Sequence, residues 1–120
     1  MVVDDEEEIS RLLTLKLRQS GYDVINAYDA VQATQLAIRE RPDLCILDIG
    51  MPGGSGYTVA DRISKNCQTV GTPLVFLTGH ASAEEEAKAK HIGAFALLAK
   101  PFNSELLLDT IVQALASVGK

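Results

Sequence analysis

Short apolar runs alternate five times along this chain with longer segments of helical period, and that alternation is the sequence signature of an α/β fold built on a parallel sheet. The spacing predicts strands at 1–3, 23–27, 44–47, 74–77 and 95–99. Cys45-Ile46-Leu47 and Leu74-Val75-Phe76-Leu77 are continuously apolar, as central strands covered on both faces should be. Between the strands lie helices with readable ends. Ile9, Leu12, Leu13 and Leu17 form a stripe at helical spacing that Gly21 terminates. Asp29 with Gln32, and Ser82 with Glu85, give capping-box patterns, and Pro42 closes the helix that Asp29 opens. Asn103 should cap the last helix, with Leu107, Ile111, Val112 and Leu115 inside. The third helix is expected near 57–65, after a Gly53-Gly54-Ser55-Gly56 loop. The fourth, near 83–91, is rich in alanine and has only Ile92 as a large apolar anchor, so it should rearrange most easily.

A chain of 120 residues with 47% apolar and 22% charged side chains fits one globular domain over residues 1–120. Such a domain buries somewhat over ~60% of its unfolded surface, so a metal would serve function rather than folding. The net charge of −5 argues against direct nucleic-acid binding, which selects lysine and arginine clusters, and favours a cation or a basic partner. Cys45 and Cys67 lack a CxxC spacing and should be free thiols. There is no leader pattern and no run of apolar residues long enough for a membrane span, which implies a cytoplasmic, soluble protein.

In a doubly wound sheet the ligand site lies beyond the carboxyl ends of the strands. The first strand ends in Asp4-Asp5, the third in Asp48, the fourth in Thr78 and the fifth in Lys100-Pro101. A strand order of 2-1-3-4-5 brings all four ends together. Three carboxylates in one crevice repel one another unless a cation intervenes. Mg²⁺, or Mn²⁺, suits the oxygen donors and would also neutralise an incoming phosphoryl group. Lys100 then offers a second positive centre, and the Thr78 hydroxyl a hydrogen bond to a phosphoryl oxygen.

The segments Val2-Val3-Asp4-Asp5-Glu6, Ile46-Leu47-Asp48-Ile49-Gly50-Met51-Pro52-Gly53, Phe76-Leu77-Thr78-Gly79 and Ala99-Lys100-Pro101-Phe102 closely resemble the receiver domain of bacterial two-component response regulators. The resemblance covers nearly the whole chain, and the order 2-1-3-4-5 rests partly on it. It implies that Asp48 accepts phosphate from a sensor histidine kinase or a phosphotransfer protein. It implies further that Asp5 ligates the metal directly, Asp4 through water and Gly50 through its backbone carbonyl, with Asp48 completing the set. Thr78 would be the switch hydroxyl, Lys100 would pair with the phosphoryl group, and the Lys100-Pro101 bond would be cis. Gly79 would leave room for the phosphoryl group, and His80 would tune how water reaches it.

Each residue also has a plain structural role open to it: Asp5 as a helix cap, Asp48 in a turn, Thr78 as a strand former, Lys100 and His80 as exposed loop residues. Their coincidence at one crevice favours the functional reading. A flavin carrier on the same fold would need Ser, Thr and Gly where Asp4, Asp5 and three glutamates stand. A degenerate interaction module would have lost an acidic residue, the acceptor or the lysine. A phosphatase would want a general acid where Gly50 stands, so the chain is expected to be a switch rather than an enzyme.

Three features depart from the family pattern. Only three residues precede Asp4, which suggests a trimmed or misassigned start, or a shortened native strand. Leu97 occupies the position at which the family usually carries an aromatic ring, with Phe95 two residues earlier, so phosphorylation should act through the fourth helix. No output segment follows the fifth helix, so the output is expected from a downstream effector protein or from a removed domain.

Overall fold

The computed structural model describes residues 1–51 and 55–120. Pro52, Gly53 and Gly54, with the parts of the motif and loop expected on them, lie outside the described residues. Strands β1 (Val2–Val3), β2 (Asn26–Ala27), β3 (Cys45–Asp48), β4 (Leu74–Thr78) and β5 (Ala96–Ala99) alternate with helices α1 (Glu7–Gln19), α2 (Ala30–Glu40), α3 (Gly56–Lys65), α4 (Ala83–Ile92) and α5 (Ser104–Ser117). The strands form one parallel sheet in the order β2-β1-β3-β4-β5, as expected.

β1 is central although only two residues long. Asp4 N–H donates to the Ala27 carbonyl at 3.2 Å, and Ile46 N–H to the Met1 carbonyl at 2.8 Å, so both neighbours hold it. β2 is shorter than expected because its ladder partner starts only at Val2, which leaves 23–25 outside the strand. β3 and β4 each run one residue further than expected. Asp48 and Thr78 are thereby held at ladder positions opposite Leu77 and Ala99.

Side chains alternate across the sheet. On one face Val3, Cys45, Leu47 and Phe76 pack with Ala33, Val59, Ala60, Ile63 and Ala89. On the other Val2, Ile46, Val75 and Leu77 pack with Leu13, Leu17, Leu107 and Ile111. Two helix phases differ from expectation. Leu12 is 47% exposed and Val112 57% exposed, because each lies one residue, about 100°, round the helix from a truly buried neighbour. The inner face of α5 runs through Thr110 and Ala114 instead.

The expected caps are present. Asp29 Oδ1 accepts from Gln32 N–H at 2.7 Å, Ser82 Oγ from Glu85 N–H at 3.2 Å, and Asn103 Oδ1 from Leu106 N–H at 3.1 Å. α1 is the exception, with Glu6 rather than Asp5 at the cap and no side-chain cap bond. Among the described residues no helix is long and apolar enough to cross a membrane.

Candidate functional site

The carboxyl ends of β1, β3, β4 and β5 meet in one crevice. Asp48 closes β3 with its side chain nearly buried, and its Oδ1 accepts from Gly50 N–H at 3.3 Å. Asp4, the residue after β1, is wholly buried, and its Oδ1 accepts from Glu6 N–H at 2.9 Å. Lys100 follows β5, where its N–H donates to the Thr78 carbonyl at 2.7 Å and its bond to Pro101 is cis. The Lys100 ammonium reaches back across the sheet ends to Asp4 Oδ2 at 3.0 Å, Asp48 Oδ1 at 3.3 Å and Glu6 Oε1 at 3.3 Å.

Thr78 is buried at the end of β4, and its Oγ1 accepts from the backbone N–H of exposed His80 at 3.1 Å. A hydroxyl that accepts there can still donate its proton toward the crevice. A Cβ added at Gly79 would meet nothing within 4 Å, so the small residue leaves open space beside Thr78. Gly56 is different. A Cβ there would stand 2.5 Å from the Asp48 carbonyl oxygen, so only glycine lets the start of α3 abut the end of β3.

Burial raises the Asp4 carboxyl above the ordinary aspartate range, and the neighbouring Asp48 charge adds to the shift. The Glu6 N–H and Lys100 pull the other way without cancelling it. Burial works against the Lys100 charge too. The Asp4 contact and the charges of Asp4, Asp48 and Glu6 outweigh it, and the ammonium titrates above its usual value. Buried Asp4 Oδ2 is ion-paired with the Lys100 ammonium at 3.0 Å, a single cation that it shares with Asp48 and Glu6. The crevice is therefore short of positive charge.

A divalent ion fits that deficit. Asp4, Glu6 and Asp48 present carboxylate oxygens within 4.8 Å of one another, a hard oxygen donor set of the kind Mg²⁺ or Mn²⁺ takes. The structure thus brings Asp4, Asp48, Thr78 and Lys100 together and keeps Gly50 beside Asp48. Asp5 is exposed and stands outside the cluster of carboxylates. Glu6 was not anticipated. The signal for it was its place in the turn from β1 into α1, which aims an acidic side chain at the strand ends.

Leu97 is half-buried against the core, and Phe95, expected in the fifth strand, precedes β5 and is 41% exposed. α4 buries only Ala89.

Residues 1–112 match the family described as the response regulator receiver domain. The chain is 33% identical over 111 residues, 92% of its length, to the DNA-binding dual master transcriptional regulator RpaA of Synechocystis, of which the match covers 46%. The chain spans about half the length of the curated relatives it matches. Among solved structures, a protein assigned as a response regulator from Chloroflexus aurantiacus superposes with a TM-score of 0.91 at 32% identity, covering 96% of this chain and 94% of that one. The chemotaxis protein CheY4 of Vibrio cholerae superposes at 0.89 with 34% identity, covering 94% of each chain.

Proposed function

The chain belongs to the response regulator receiver domain family of two-component systems, and from that premise we propose that residues 1–120 act as one phosphoryl-accepting switch whose acceptor is Asp48. The observation that carries this reading is the position of the Asp48 carboxylate: at the end of β3, nearly buried, 3.3 Å from the Lys100 ammonium that also pairs with the buried Asp4.

The donor is the phosphohistidine of a sensor histidine kinase or phosphotransfer protein. An Asp48 carboxylate oxygen attacks phosphorus and forms the new O–P bond as the P–N bond breaks. The electron pair stays with the leaving imidazole, which takes up a proton. Lys100 pairs with a phosphoryl oxygen, and Thr78 donates its hydroxyl to another across the space that Gly79 leaves. Asp4, Asp48 and the Gly50 carbonyl, with Asp5 from its exposed position at the rim, would hold Mg²⁺ or Mn²⁺. The bound ion supplies charge neutralisation on the phosphoryl oxygens. No external substrate is turned over, so the domain is a switch that promotes its own phosphorylation and dephosphorylation.

A readout through α4 follows from its thin anchoring and from the lack of an aromatic ring at Leu97. The downstream partner is an effector protein or an attached output domain in the cytoplasm, and this domain does not itself bind nucleic acid or membrane. Incubation with Mg²⁺ and a small acyl phosphate, followed by intact-mass measurement, should show one added phosphoryl group on the wild type and none on Asp48→Asn. Equal uptake by both proteins would remove Asp48 from its role.

A further inference from the structure

Glu6 has no part in the site as set out under the proposed function, yet its carboxylate lies inside the crevice. Its Oε1 is 3.3 Å from Lys100 Nζ and belongs to the group of oxygens, with Asp4 and Asp48, that lie within 4.8 Å of one another. The Glu6 side chain is 59% exposed, whereas those of Asp4, Asp48 and Lys100 are nearly buried, so Glu6 closes the solvent side of the cluster. The crevice can take further positive charge: the wholly buried Asp4 has for its Oδ2 only a share of the Lys100 ammonium, which stands 3.0 Å away and is approached also by Asp48 and Glu6 at 3.3 Å each.

We infer that Glu6 is a positioning residue that tunes this switch in two opposite directions: it tightens divalent-metal binding through its charge and, by the same charge and its hold on Lys100, opposes loading of the phosphoryl group on Asp48. The inference rests on the phosphoacceptor reading given above.

Its basis is a charge balance. Within the cluster that surrounds Lys100, from which the exposed Asp5 stands apart, three carboxylates against one ammonium leave two negative charges uncompensated, a strong attraction for a divalent ion. Removing the Glu6 charge leaves one, and the attraction for the ion weakens. Phosphorylation replaces the single charge of the Asp48 carboxylate with about −1.5 to −2 on the phosphoryl group. With the ion bound, that extra charge is easier to accept when Glu6 is neutral, and Lys100 then has one competitor fewer for the phosphoryl oxygens.

Glu6→Gln separates the two directions. At a charge separation of about 5 Å in a water-exposed setting, its Mg²⁺ dissociation constant should rise about three- to tenfold, read by titration calorimetry and by the Mg²⁺ dependence of the melting temperature. At saturating Mg²⁺ its phosphorylation by a small acyl phosphate should be about twofold faster than wild type, or more. A merely structural defect would weaken both properties. Glu8→Gln, the same charge change two residues along on the exposed face of α1, should move neither. The inference is overturned if Glu6→Gln binds Mg²⁺ as tightly as wild type, if Glu8→Gln matches its effect, or if its saturated phosphorylation is slower. Each of those results is compatible with wild type that binds Mg²⁺ and takes phosphate on Asp48. Wild type that does neither would overturn the phosphoacceptor reading itself, and Glu6 with it.

Discussion

The helices that follow β3 and β4, α3 and α4, pack on the same face of the sheet and have equal lengths of ten residues, yet they are held in opposite ways. α3 buries Gly56, Val59, Ala60 and Ile63, and its first residue is pressed against the Asp48 carbonyl. α4 buries Ala89 alone. Its local order comes from its ends, the Ser82 cap and the left-handed Gly93, and from the exposed Lys88–Glu84 pair. The difference teaches how one sheet can serve a switch. Asp48, the acceptor in the proposed reading, sits on backbone braced by a packed helix, while the helix beyond Thr78 has few buried anchors to hold it.

The firm side should break first. Gly56→Ala would drive a methyl group into the Asp48 carbonyl, and overpacking against backbone should cost about 3 kcal/mol in urea unfolding. The matched substitution on the loose side, Gly79→Ala, meets open space and should cost less than about 0.5 kcal/mol. Equal costs at the two glycines would end the comparison. The next effect concerns motion. On phosphorylation, amide exchange in α4 should change about tenfold, the equivalent of about 1.4 kcal/mol, while the amides of α3 stay as they were. A uniform change across both helices would refute a readout through α4. Ser82→Ala comes third. Loss of the cap should cost about 1 kcal/mol, felt as faster exchange confined to α4.

Much of this arrangement is legible in the amino-acid sequence. The period of the apolar residues locates α1 and α5, the Gly-rich loop announces α3, and side-chain caps at Asp29, Ser82 and Asn103 are readable directly because capping is local chemistry. The convergence of Asp4, Asp48, Thr78 and Lys100 followed from strand ends and strand order. Periodicity does not set the phase of a helix to within one residue, and so Leu12 and Val112 were assigned inward when they face out. The tight approach of Gly56 to β3 is a tertiary fact with no local signature. The Glu6 contact is of the same kind, since Lys100 lies 94 residues further along the chain.

The smallest effect lies where the two helices touch. Tyr57, in the first turn of α3, stacks edge-on against Phe76 at 5.1 Å and receives the Lys88 ammonium of α4 at 5.8 Å from its ring centre. Its hydroxyl has no hydrogen-bond partner among the described residues. Burial, with the charges of Glu85 and Glu84 behind it, raises the phenol above its usual value of 10. The sign follows from that direction. The stability carried by the neutral phenol is fully present below pH 10 and is lost as pH rises through the higher folded value. Followed by tyrosinate absorbance, one of the three tyrosines should titrate late, and Tyr57→Phe should abolish that late step. Because the hydroxyl has no hydrogen-bond partner among the described residues, the variant should keep its stability within about 0.5 kcal/mol. Lys88→Gln, which removes a cation from the face of the ring, should cost about 0.5 kcal/mol and speed exchange in α4 about twofold. A wild type that lacks the late step would show that Tyr57 is not enclosed beside α4 and its glutamates in solution, and that the loose helix lacks even this hold on its firm neighbour.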